Sequence, residues 1–153
     1  MKPHVMLSLS TAVVLFSVVP TNSAAQGFRW RGAQGWGPGG AYARLYDPAK
    51  VERVAGEILE IRKTTPLRGM SPGVELVVRT TTAQVAVHLA PVWFLENQEL
   101  SFAKGDGVEV EGSRVAVDGK QVLLAASIRK GDQVLQLRDA MGVPRWAGWR
   151  RAP

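Results

Sequence analysis

The chain has 153 residues and no cysteine, and it carries 19 Lys and Arg against 13 Asp and Glu. This length suits one domain and is short for two. The lack of cysteine excludes disulfides, cysteine-held zinc, c-type haem attachment, thiol catalysis and a lipoprotein anchor. The basic excess favours anionic partners only weakly, because a solvated basic surface explains it equally well.

Residues 1–25 have the pattern of a cleavable export signal. Lys2 gives a basic start, an apolar run extends over 5–19, and Ser23-Ala24-Ala25 offers small residues to a signal peptidase. The apolar run is shorter than the ~20 residues of a bilayer-spanning helix. We therefore predict cleavage after Ala25 and a periplasmic or secreted product without a transmembrane anchor. An uncleaved membrane anchor is the alternative.

Residues 26–50 combine glycine, arginine and aromatic residues without a period of 2 or 3.6. Because glycine makes an ordered backbone entropically costly, we predict a flexible leader here. The aromatic and arginine side chains of residues 28–36 are of types that stack on bases or sugars. Tyr42, Leu45 and Tyr46 are instead expected to pack on the following domain.

Six runs with strand-like alternation follow, interrupted by one helical segment. Gly56 inside the first run indicates a bend. Pro91 can begin a helix, so residues 91–97 are predicted as a short helix, and Asp118-Gly119 is a strong hairpin signal. The predicted strands are 51–63, 74–79, 84–89, 108–117, 122–128 and 134–137.

This order predicts an all-β fold, namely a small OB-type β-barrel of five to six strands with a short helix between strands 3 and 4. The barrel would occupy residues 51–138, followed by a tail rich in Trp and Arg at 139–153. Closing the sheet would remove edges that otherwise need protection. An open β-sandwich is the structural alternative.

Several motifs of this part of the chain are typical of one family. They include Tyr46-Asp47-Pro48, Val54-Ala55-Gly56-Glu57, His88-Leu89-Ala90-Pro91-Val92-Trp93-Phe94, Gly112-Ser113-Arg114 and Gly142-Val143-Pro144-Arg145-Trp146. The sequence resembles small bacterial exported single-domain OB-fold proteins, often loosely labelled DNA-binding protein, over about residues 42–151. The resemblance implies the fold and export. It implies no reaction or ligand, because fold alone does not define function.

His88 is the single histidine beyond the predicted signal, and it is the candidate for a metal ligand, a haem ligand or a proton donor. It alternates with the apolar Val87 and Leu89, so we expect its side chain to point out of the barrel core. A metal site usually needs three or four ligands, so we expect no metal and no cofactor. The simpler role is packing or hydrogen bonding with the Trp93 segment or the tail.

Catalysis and nucleic acid binding both lack a recognisable site. No Ser-His-Asp set or nucleophile elbow is present, so we predict that the protein is not an enzyme; the strand carboxylates, Glu75 among them, are expected on solvated faces. The second and third predicted strands hold no aromatic residue on which a base can stack. Phosphate contacts remain open to scattered cations, which are Arg79, Arg114, Lys120, Arg129, Lys130 and Arg138.

The tail is the other candidate surface. Trp146 and Trp149 are expected to cap the barrel, since buried tryptophan contributes strongly to small cores. Alternatively, Trp149, Arg150 and Arg151 engage an anionic partner or a membrane surface. The candidate ligand-binding residues are His88, Trp93, Arg79, Arg114, Arg138, Trp146, Trp149 and Arg150.

We therefore expect an exported, non-enzymatic binding module that engages an unknown protein or envelope partner. The first alternative is weak, sequence-independent binding of nucleic acid or another polyanion, which would depend strongly on salt. The second alternative is haem or metal handling through His88.

Overall fold

The computed structural model of the protein describes residues 35–148. The predicted export signal, the first part of the predicted leader and the end of the tail lie outside these residues. No helix within the described range is long and apolar enough to cross a membrane.

The fold is all-β, with six strands and one short helix between the third and the fourth, as predicted. Single 3₁₀ turns at Ala43–Leu45, Pro48–Lys50 and Arg145–Gly148 flank this body. The strands and helix are β1 (Val51–Thr64), β2 (Gly73–Arg79), β3 (Gln84–Pro91), α1 (Val92–Leu95), β4 (Gly107–Val117), β5 (Lys120–Lys130) and β6 (Gln133–Gln136).

Five strands form a closed ring of pairings in the order β1–β2–β3–β5–β4 and back to β1. All of these pairs are antiparallel except β3 with β5, which is parallel and involves only Val87 with Leu123 and His88 with Leu124. β6 lies outside the ring and pairs with β5. The closing contact of the ring is thus its shortest one.

The interior of the ring is filled by the alternating apolar residues that the strand pattern predicts. Ile58, Leu76, Val87, Leu89 and Val110 have no exposed surface, because successive side chains of a strand point to opposite faces and these lie on the inner one.

A second apolar layer covers the outer face of β3. It contains Trp36, Tyr42 and Tyr46 from the predicted leader and Trp146 from the tail, and all four side chains are buried. Tyr42, Tyr46 and Trp146 pack on the domain as expected. Trp36 joins them, so residues 35–50 of the predicted leader are part of the folded body.

β1 serves two partners, and the change occurs around Gly56. Residues 51–57 pair with β4 and residues 57–64 pair with β2. A Cβ atom on Gly56 would overlap the carbonyl oxygen of Arg79, where β2 ends. The glycine thus permits the close approach of β2, and the irregularity in the pairing of β1 with β2 lies just after it, between Ile58 and Glu60.

Replacing Gly56 with alanine is expected to lower the free energy of unfolding by about 1–3 kcal/mol, because backbone must move to accept the methyl group. Gly107→Ala is the matched control, since nothing lies within 4 Å of a Cβ at that position of β4. Urea unfolding of both variants measures the difference, and equal stabilities would contradict the role assigned to Gly56.

Candidate functional site

His88 points away from the ring interior, as its alternation predicts, but it is not at the surface. Its exposed fraction is 3%, because the second apolar layer covers this face of β3. Its Nδ1 lies 3.0 Å from the Tyr42 hydroxyl, and its Nε2 lies 3.1 Å from Oε2 of Glu75. The expected partners, the Trp93 segment and the tail, are therefore replaced by Tyr42 and Glu75.

Glu75 meets His88 because the two residues are directly paired between β2 and β3. The expectation of a solvated carboxylate is wrong for Glu75, whose side chain is only 15% exposed. Its other oxygen, Oε1, lies 3.5 Å from Nε of Arg62, whose side chain is 48% exposed. Two hydrogen bonds thus link buried Tyr42 to His88 and His88 to Glu75, and an ion pair continues this network to an exposed arginine.

Burial determines where the protons of the Tyr42–His88–Glu75 network lie. Desolvation lowers the pKa of His88 below its usual 6.5, in opposition to the attraction of Glu75. Desolvation also raises the pKa of Tyr42 far above its usual range, so the hydroxyl keeps its proton. Neutral His88 then accepts from Tyr42 at Nδ1 and donates to Glu75 from Nε2–H, the tautomer that satisfies both bonds.

Arg138 lies next to the Tyr42–His88–Glu75 network and is also buried, with an exposed fraction of 3%. It was predicted as a phosphate contact, and the structure places it out of reach of such a ligand. Its Nη1 donates to the carbonyl oxygens of Leu89, at 3.3 Å, and Ala125. Its guanidinium lies 5.0 Å from the ring centre of Trp146, a cation–π contact.

The two ends of the described chain meet over Arg138. Nε1 of Trp146 donates to the carbonyl oxygen of Trp36 over 2.8 Å, and the ring centres of the two residues are 6.0 Å apart. Nε1 of Trp36 in turn donates to the carbonyl oxygen of Ser71 over 2.8 Å. These bonds satisfy the polar atoms of both indoles.

The remaining predicted site residues do not join the buried cluster formed by Trp36, Tyr42, Glu75, His88, Arg138 and Trp146. Arg79 pairs with Glu57 at 3.0 Å, and Arg114 pairs with Glu52, both partly exposed. Trp93 on α1 is half-buried, and its ring is 6.4 Å from Phe94, which packs on Trp146 at 5.4 Å. Trp149 and Arg150 lie outside the described residues. The structure therefore brings together three of the eight candidates, His88, Arg138 and Trp146.

Trp36, Tyr42 and Glu75 belong to the cluster and were missing from the sequence-based candidates. A signal for Glu75 was available: with a turn between Arg79 and Gln84, the predicted hairpin pairs Glu75 with His88. No comparable signal exists for Trp36 or Tyr42, since their contacts span 110 and 46 residues of chain.

The cluster is suited to holding its parts in place. Both ring nitrogens of His88 are engaged and the side chain is buried, so a ligand could bind it only after breaking these bonds. Within residues 35–148, no group of three or more His, Cys, Asp or Glu could hold a metal ion.

The protein is expected to lose stability as the pH falls below about 6.5. Between that value and the lowered pKa of folded His88, the unfolded chain binds a proton that the folded protein does not bind. His88→Gln should reduce this dependence, because a glutamine amide can still accept from Tyr42 and donate to Glu75 but does not titrate. Urea unfolding between about pH 7.5 and 5.5 tests this; equal pH slopes for both proteins would disprove it.

Arg138→Ala is expected to lower the free energy of unfolding by more than about 2 kcal/mol, since two buried carbonyl groups lose a donor and a cavity forms. Arg145→Ala, an exposed arginine seven residues later, should stay within about 0.5 kcal/mol of the unchanged protein. Thermal or urea unfolding compares the two, and similar small effects would show that Arg138 does not hold the ring.

Comparison with known proteins assigns the chain to a family. The family model of the MamS/MamX magnetosome protein family matches residues 50–135, from the turn before β1 to β6. No curated protein matches the chain. Because the family match covers more than half of the 153 residues, the chain belongs to the MamS/MamX magnetosome protein family.

Proposed function

We propose that this protein is an exported, non-enzymatic binding module whose two ends together contact an acidic protein partner in the cell envelope. The contact between Trp36 and Trp146 carries the proposal. Because of it, the chain enters the described fold and leaves it at one place. Residues that precede Trp36 and follow Trp146 therefore start from neighbouring points on the surface.

Beyond the predicted export signal, the excess of positive charge lies in the sequence just before and just after residues 35–148. Residues 35–148 hold 14 Lys and Arg and 13 Asp and Glu, so the folded body is nearly neutral. Arginine binds carboxylates with two parallel hydrogen bonds, and arginine and tryptophan are enriched in the energetic centres of protein interfaces. The flanking residues of these types are Arg29, Trp30, Arg31, Trp149, Arg150 and Arg151.

The cations of the folded body are less available. Arg79 and Arg114 are paired with glutamates, Lys130 lies 2.7 Å from Asp106, and Arg138 is buried. Nucleic acid or polyanion binding, the alternative function, would therefore also depend on the two ends. A protein partner is favoured because the two described strands β2 and β3 carry no aromatic side chain on which a base could stack, and four of the cations of residues 35–148 are already paired or buried.

Two observations support a binding role over catalysis or haem handling. His88 has both nitrogens engaged beneath the second apolar layer, so it is poorly placed as a proton donor to a substrate or as an axial ligand. The cluster around it joins β2, β3 and the two ends of the described chain. These are contacts of a scaffold that presents a surface.

Membership of the MamS/MamX magnetosome protein family supports a magnetosome-associated role, and we infer that the partner belongs to the magnetosome or the adjoining envelope. The export signal predicted at residues 1–25 agrees with a periplasmic location. We also infer that the ring is of the OB type, since its strands pair in the order β1–β2–β3–β5–β4 and α1 lies between β3 and β4.

Binding of fluorescent poly-glutamate, a stand-in for an acidic protein surface, tests the proposal by anisotropy. Replacing both Arg29 and Arg31, or both Arg150 and Arg151, with serine is expected to weaken binding by up to about tenfold. The affinity should also fall as salt is added.

Lys120→Ser with Arg129→Ser is the matched control, because it removes two exposed charges from the folded body and should change binding little. An equal loss in the control, or no binding of poly-glutamate at low salt, would contradict the role of the ends. If the protein bound a single-stranded oligonucleotide more tightly than poly-glutamate, the partner would be nucleic acid. If it bound anionic vesicles more tightly than poly-glutamate but not neutral vesicles, the partner would be a lipid surface.

A further inference from the structure

We propose that β6 pairs with β6 of a second copy of this chain, joining two sheets edge to edge. β6 is the last strand in the order of the sheet and pairs with β5 on one side. Its other edge has no strand beside it among residues 35–148. The five strands of the ring differ from β6, because each of them pairs with a strand on both sides over part of its length.

Nothing in the described part of the chain covers β6. Gln133, Val134 and Gln136 are exposed, and Leu135 is half-buried against the core. An edge strand in this state presents free N–H and C=O groups to another strand. Backbone hydrogen bonding along such an edge is an established way to add a strand to a sheet.

The composition of β6 permits self-association. Proteins commonly protect an edge with lysine, other charges, proline or a bulge, and residues 133–136 contain two glutamines and two aliphatic residues instead. β1 differs, because its exposed positions include Glu60, Arg62 and Lys63. Since β6 is uncharged, a second copy meets no electrostatic repulsion along the strand.

Three of the five exposed large apolar side chains among residues 35–148 belong to β6 or to the segment that follows it. Val134, Met141 and Val143 have exposed fractions of 43%, 73% and 44%. Met141 lies in a loop that is closed by a hydrogen bond from the amide of Asp139 to the carbonyl oxygen of Val143. Burying Val134 between two copies would add hydrophobic stabilisation to the backbone pairing.

The twofold symmetry of such a dimer determines which residues of the two β6 strands would face each other. Two identical antiparallel neighbours are related by a twofold axis perpendicular to the sheet, so equal residues of the two copies lie on the same face. Val134 then packs near Val134 of the partner subunit on the solvent face. Four paired residues make a small interface, so we expect a weak, reversible dimer.

Sedimentation velocity over a range of protein concentrations tests the proposal on the protein in the form the cell exports. We expect the unchanged protein to shift from monomer to dimer as its concentration rises. Val134→Lys should remain monomeric, because two lysines would be brought together at the axis. Ile61→Lys is the matched control, since Ile61 is 40% exposed on β1, and it should still form dimers.

A cysteine variant gives an independent readout, because the chain contains no other cysteine. Val134→Cys should form a disulfide-linked dimer under mild oxidation much faster than Ile61→Cys. A monomeric unchanged protein at all concentrations, a Val134→Lys variant that forms dimers as readily, or equal crosslinking of the two cysteine variants would each overturn the proposal.

Discussion

The parallel contact between β3 and β5 is where the ring of strands closes, and it consists of only two residue pairs. Arg138 extends it: its guanidinium binds the carbonyl oxygens of Leu89 and Ala125, the next residues on the two strands. A buried guanidinium is costly unless its donors are satisfied and its charge is stabilised. The carbonyl groups and the ring of Trp146 do both. Ring closure therefore depends on a residue that lies beyond the last strand.

The need to cover Arg138 explains the second apolar layer. Trp146 packs on the guanidinium, Trp36 bonds to Trp146, and Tyr42 bonds to His88 on the adjoining strand. The segments before β1 and after β6 are thereby held together on one face. The same contacts bury His88 and lower its pKa, so stability and protonation are coupled through this layer. What the sequence presents as two distant ends is one place in the fold.

This arrangement separates a nearly neutral folded body from cationic ends, and it leaves one uncharged strand at the edge of the sheet. In a protein of the MamS/MamX magnetosome family, these two features offer contacts of different chemistry. The arginines that flank residues 35–148 can bind carboxylates. The free edge of β6 can instead bind another strand through backbone hydrogen bonds.

The sequence by itself determined the strands, the short helix after Pro91 and the special position of Gly56 in β1, because alternation, proline and glycine act over a few neighbouring residues. The pairing of Glu75 with His88 was also available from the sequence, since a tight hairpin sets its own register, although Glu75 was expected on a solvated face. The tertiary structure alone decided that His88 and Arg138 are buried and that Trp36 meets Trp146. Those outcomes depend on packing between segments up to 110 residues apart, and no local pattern records which segment will cover an outward-facing side chain.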